Sequence, residues 1–190
     1  MTMNDLRYMS LSKPRTRYAI GLRLIHWLTA AAIAAAFVLA DMGEGGEEGK
    51  ATASAASAMQ WHYVAGLVVL VLVVPRLLLR IYTRAPPIVP PPGALTAMTA
   101  RLMHLALYAF LIVQPVLGWL QVSYGGEHIV LPWLGWQLPT LVHPDAQSKE
   151  IAGEVHELTG NILYGLISLH VFAALWHHFV RRDNTLKRML

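Results

Sequence analysis

Val155-His-Glu-Leu-Thr-Gly-Asn-Ile-Leu-Tyr-Gly-Leu-Ile-Ser-Leu-His170-Val-Phe-Ala-Ala-Leu-Trp-His177-His-Phe-Val180 decides how this chain is read. As a helix the stretch is long enough to cross a hydrocarbon core, which takes about 20 apolar residues. It nevertheless carries histidines at two depths. His156 and His170 are 14 residues apart, an advance of about 1,400°, some 40° short of four turns, with a rise of about 21 Å. Both side chains leave nearly the same helix face. Ionisable residues inside a span are costly and need a reason.

Working outward, three more apolar runs have the length to span: residues 20–40, 61–82 and 102–122, with 155–180 the fourth. Gly66, Pro75, Pro115 and Gly165 fall inside these runs, where transmembrane helices tolerate them. Charged residues are 14% of the 190, against about 25% in soluble domains. They collect between the runs with alternating sign. Arg7, Lys13, Arg15, Arg17 and Arg23 oppose Asp5 before and just inside the first run. Asp41, Glu44, Glu47 and Glu48 oppose Lys50 after it. Arg76, Arg80, Arg84 and Arg101 follow unopposed. Glu127, Asp145, Glu150, Glu154 and Glu157 then oppose Lys149, and Arg181, Arg182, Lys187 and Arg188 oppose Asp183.

Basic excess on every second side predicts an all-α integral membrane four-helix bundle with both termini cytoplasmic. The net +4 charge is thereby a topology signal, not a nucleic-acid footprint. The first apolar run, opening near Tyr18, has no clear small-residue cleavage site and reads as a retained anchor. The whole chain, 1–190, reads as one transmembrane domain. Residues 43–58 read as a flexible connector, Ala85–Pro92 as a stiff extended spacer, and Ser123–Glu154 as an outer loop. Trp133 and Trp136 in that loop read as interfacial anchors.

The chain has no cysteine. Disulfide scaffolds, thiolate metal sites and cysteine-held clusters are excluded. Histidines remain for metal chemistry. His62 opens the second run at the depth of His156, and His26 lies in the first at the depth of His170. Each pair can clamp one iron from both sides, His62 with His156 and His26 with His170. Gly66 and Gly160 each follow a histidine by four residues, one turn deeper on the same face, leaving flat gaps for a porphyrin. Ala30 and Ala174 take that offset in the inner pair. Arg76, 14 residues after His62, falls on the same face at the inner depth, placed to meet a haem propionate or a quinone, or with Arg80 to snorkel to lipid headgroups. His177, two turns beyond His170, is placed to donate to a quinone carbonyl or to snorkel at the helix end. His104, opening the third run near the inner face, reads as an interfacial packing residue ahead of a haem-propionate or quinone partner, and His128 and His143 read as solvated.

Several short pieces, in order, carry a family likeness: Ile25-His26-Trp27; His62 with Val74-Pro75-Arg76-Leu77-Leu78-Leu79-Arg80; Pro86-Pro-Ile-Val-Pro90; and His104-Leu-Ala-Leu-Tyr108. Beyond them come Pro115-Val-Leu-Gly118, Val155-His156-Glu157, Leu169-His170, His177-His178 and Asp183-Asn184-Thr185-Leu186. With them the chain resembles the bacterial cytochrome b561 family, and within it the superoxide oxidase group. The resemblance implies two b haems with ligands at His26, His62, His156 and His170, and a quinone site on the cytoplasmic side near His177. It implies a bacterial inner-membrane enzyme that takes electrons from superoxide at the periplasmic face and reduces ubiquinone. Two other readings stand beside it: a cytochrome b electron-carrier subunit of a larger dehydrogenase complex, fed by a periplasmic donor, and a histidine-lined metal transporter.

Overall fold

A computed structural model describes residues 16–44 and 53–190. Four helices dominate it: α1 (Ile20–Glu44), α2 (Ala53–Tyr82), α3 (Ala94–Tyr124) and α4 (Ala146–Phe179). A two-stranded antiparallel hairpin, β1 (Val130–Leu131) with β2 (Trp136–Gln137), lies between α3 and α4. A 3₁₀ turn, Leu186–Arg188, follows α4. All four helices are long and apolar enough to cross a membrane, and 11–17% of the residues in each apolar window are buried.

The helices outrun the apolar stretches. α2 starts at Ala53, so Ala53–Ala58 are helical and not connector, as befits an alanine-rich segment. Residues 45–52 of that connector lie outside the described residues. α3 starts at Ala94. α4 starts at Ala146, inside the stretch read as loop, where the Asp145 side chain accepts a hydrogen bond from Ser148 N at 2.7 Å. This N-cap satisfies an orphan donor in water. Hydropathy reports where the membrane begins, whereas caps and propensity decide where the helix does.

Two helical hairpins, α1/α2 and α3/α4, join through α2 and α3. Val69, Val73 and Leu111 form a core flanked by Ala32, Ile33, Leu77 and Tyr108, so the tightest packing involves α1, α2 and α3. Gly66 on α2 faces α3, where an added Cβ would only touch Pro115 Cβ, at 4.0 Å. Among the described residues, no Cα of α4 comes within 8 Å of α1 or α2. Directly packed helices have axes only about 8–10 Å apart, so α4 faces α1 and α2 across a space bridged by side chains.

Each end of the bundle is closed. At one end Gln60 Nε2 donates to Val130 O at 2.6 Å and Trp133 lies against Trp61, tying the hairpin to the start of α2. At the other, the proline-rich strap is more than a spacer. Asn184 accepts from Val89 N at 2.9 Å and donates to Pro87 O at 3.2 Å. The tail also pairs with the lead into α1, through Tyr18 N to Arg188 O and Trp27 Nε1 to Met189 O, each at 3.0 Å.

Candidate cofactor site between the helices

The space beside α4 is where the histidines meet. His62 on α2 and His156 on α4 face each other with ring centroids 6.2 Å apart and planes at 89°. Two metal–imidazole bonds of about 2 Å, with one ring radius at either end, span such a distance. His62 Nδ1 lies 2.7 Å from Ala36 O. A carbonyl only accepts, so Nδ1 carries the proton and Nε2 keeps its lone pair for a metal. His156 Nδ1 is buried and without a protein partner.

Around this pair runs a largely apolar pocket, whose walls include Phe37, Gly66, Phe110, Pro115, Trp119 and Ile129. Gly118 on α3 makes room for the His156 ring, since a Cβ there would stand 3.0 Å from Cε1. Gln114 on α3 donates to His156 O at 2.8 Å and accepts from Thr159 Oγ1 at 2.5 Å. At Gly160, read as a gap for a porphyrin, an added Cβ would stand 3.1 Å from the nitrogen of this amide. Two opposed imidazoles in apolar walls fit a six-coordinate iron porphyrin. Among the described residues, no three His, Cys, Asp or Glu converge as a compact metal site would require.

The second group lies deeper along α4. His26 on α1 faces His170 with centroids 6.4 Å apart and planes at 65°, close to the spacing of the first pair. His104, read as a packing residue, stands 5.6 Å from the His170 ring, and its Nδ1 donates to Ala100 O at 2.5 Å. Its place at the depth of His170 was visible in the sequence. Arg76 on α2 donates from Nη2 to His26 Nδ1 at 2.9 Å and lies over the Tyr108 ring. An imidazole that offers Nε2 to a metal holds its proton on Nδ1, so ligation by His26 requires Arg76 to take another acceptor.

His177 is joined to none of these. Its Nδ1 bonds Asp183 Oδ2 at 2.5 Å, and the Asp183 side chain is 1% exposed. The other carboxylate oxygen accepts from Thr185 N at 2.9 Å. Burial pushes the Asp183 carboxyl up, but the hydrogen bonds from Thr185 and His177 outweigh it and hold the group below its ordinary value. Asp183 is thus a carboxylate that fixes the His177 proton on Nδ1. The sequence signal was a lone acid in a basic tail, which charge counting absorbs without assigning a role.

The family model for prokaryotic cytochrome b561 matches residues 17–190. "Cytochrome b561 homolog 1" of Escherichia coli K12 is 34% identical over 166 residues, 87% of this chain and 92% of the relative. "Probable superoxide oxidase CybB" of Yersinia pestis is 33% identical over 132 residues, covering 68% and 72%. "Cytochrome b561 homolog 2" of Escherichia coli K12 is 28% identical over 190 residues, covering 96% and 95%.

Proposed function

The chain belongs to the prokaryotic cytochrome b561 family, membrane proteins of haem-based electron transfer, and from that premise we propose that it is a diheme superoxide:ubiquinone oxidoreductase of the bacterial inner membrane. The observation that carries this reading is the meeting of four histidines as two opposed pairs at two depths of α4. His62 and His156 hold the periplasmic haem, and His26 and His170 the cytoplasmic one. Haems held by these two histidine pairs would supply one-electron, outer-sphere chemistry. The overall reaction balances as two superoxide anions, one ubiquinone and two protons giving two O₂ and one ubiquinol.

The protein supplies the rest. Apolar walls line the outer site around His62 and His156. Arg76 places a positive charge beside the inner histidines. At the end carrying both Tyr18 and Arg188, taken as cytoplasmic from its basic excess, His177 exchanges protons with bound quinone through Nε2, while Asp183 fixes its tautomer.

A second reading, an electron-carrier subunit fed by a periplasmic protein, is favoured by two features of the outer end. Lys149, a cation available to steer superoxide, is paired with Glu127 at 3.2 Å. Trp133, Leu134 and Trp136 stand 60–71% exposed on the hairpin beside the outer pair.

The test is a haem count and a reduced-minus-oxidised spectrum of the purified protein, followed by addition of superoxide and ubiquinone. Two b haems per chain, reduced by superoxide and reoxidised by quinone, are expected. Two haems indifferent to superoxide select the carrier reading. A colourless protein refutes both and leaves the metal transporter.

A further inference from the structure

We infer that Arg188, carried on the C-terminal 3₁₀ turn, joins Arg76 and Arg23 in a cradle for the anionic carboxylate edge of the inner porphyrin. The inference rests on the reading of a haem between His26 and His170. Arg188 is 6% exposed, although it stands two residues from the end of the chain. Its guanidinium lies 5.0 Å over the Tyr18 ring and donates from Nη2 to Tyr18 Oη at 3.0 Å. Its Nε is buried without an acceptor, as are those of Arg76 and Arg23.

These cations border one place. Arg188 and Arg76 both lie close enough to His104 for their charges to act on it, and His104 touches His170. Arg76 holds His26, and Arg23 sits one turn before it on α1. The tail is docked over the same turn through the bond from Trp27 to Met189 O. Among the described residues, the carboxylates that form ion pairs are Glu127 and Asp183, and Asp183 is taken by His177 and Arg181. Buried guanidinium nitrogens call for anionic partners, and the described residues leave that place to a ligand. A porphyrin brings two carboxylates on one edge, and guanidinium suits planar carboxylate. Release of Arg76 from His26, required by ligation, turns one more donor to that edge.

A lipid phosphate offers similar chemistry, so the test separates the two sources. The full chain is purified in a phosphate-free maltoside detergent, its haem counted, and its two midpoint potentials measured by spectral redox titration. The inner step is the one lost in Arg-intact His170→Ala. Removing a cation stabilises the ferric form, so Arg188→Gln is expected to lower the inner potential and leave the outer one in place. Arg188→Lys restores most of it. Tyr18→Phe, which removes only the hydroxyl anchoring the guanidinium, shifts the inner potential in the same direction by less, and serves if Arg188→Gln does not fold. Unchanged potentials in variants holding two haems overturn the inference, as does a difference that arises only after phospholipid is added, which assigns the cradle to lipid. Fewer than two haems in the unaltered protein refutes the diheme reading itself.

Discussion

At position 118 the residue is dictated by a neighbour on another helix. A side chain there meets the His156 ring at 3.0 Å, and a functional group must be held within about 0.5 Å of its productive geometry. Gly118→Val is therefore expected to displace the imidazole and reduce haem content from about two per chain toward about one, read from the pyridine haemochrome spectrum. Asp183 acts differently, through proton placement. In Asp183→Asn an amide N–H faces His177 Nδ1, which must then accept and move its proton to Nε2. Quinone reduction should slow by about 10²-fold or more, with haem content and haem reduction by superoxide intact, as stopped-flow spectra will show. The pH sign follows from the depressed Asp183 carboxyl. Its stabilisation is fully present above the unfolded value of about 3.9 and is lost as pH falls through the folded value. Acid unfolding of the tail, followed by Trp27 fluorescence, should lose this component in Asp183→Asn. None of these contacts was legible in the sequence, because each depends on which residue another element presents.

Among the elements, what could be read was what the membrane dictates. The four spans follow from hydropathy, and the pairing of His156 with His170 on one face follows from the period of a helix. The extra turns of α2, α3 and α4 were not legible, because outside the bilayer a helix is kept by propensity and capping and leaves no hydropathy signal. Gln114 was missed for a related reason: as a neutral polar residue in a span it raises no alarm. It nevertheless ties α3 to α4 through His156 O and Thr159, beside a helix that has no close backbone contact with α1 or α2. Interhelical hydrogen bonds in membranes contribute about 0.6 kcal/mol, up to about 1.7. Gln114→Leu should cost about 1 kcal/mol and bleach the outer haem at lower temperature than the inner one, read from the Soret band during heating.

Across the whole molecule the two ends differ in chemistry as well as in charge. One end carries the apolar pocket and a tryptophan hairpin, and the end with Tyr18 and Arg188 gathers arginines, the strap and the His177–Asp183 pair. The paired histidines of α4 lie about 21 Å apart along the helix, so the two sites are separate stations with one helix in common. His170 is the inner residue for which α4 has no substitute, since both His26 and His104 face it. His170→Ala should keep one haem, still reduced by superoxide, while ubiquinone is no longer reduced at a useful rate. His104→Ala should keep both haems and the full reaction, because it leaves the pair with the wider, ligand-like spacing untouched. If the His170→Ala protein reduces ubiquinone as fast as the unaltered chain, the quinone must meet the outer station. The proton-exchanging role of His177 then fails, while the pairing of His62 with His156 stands.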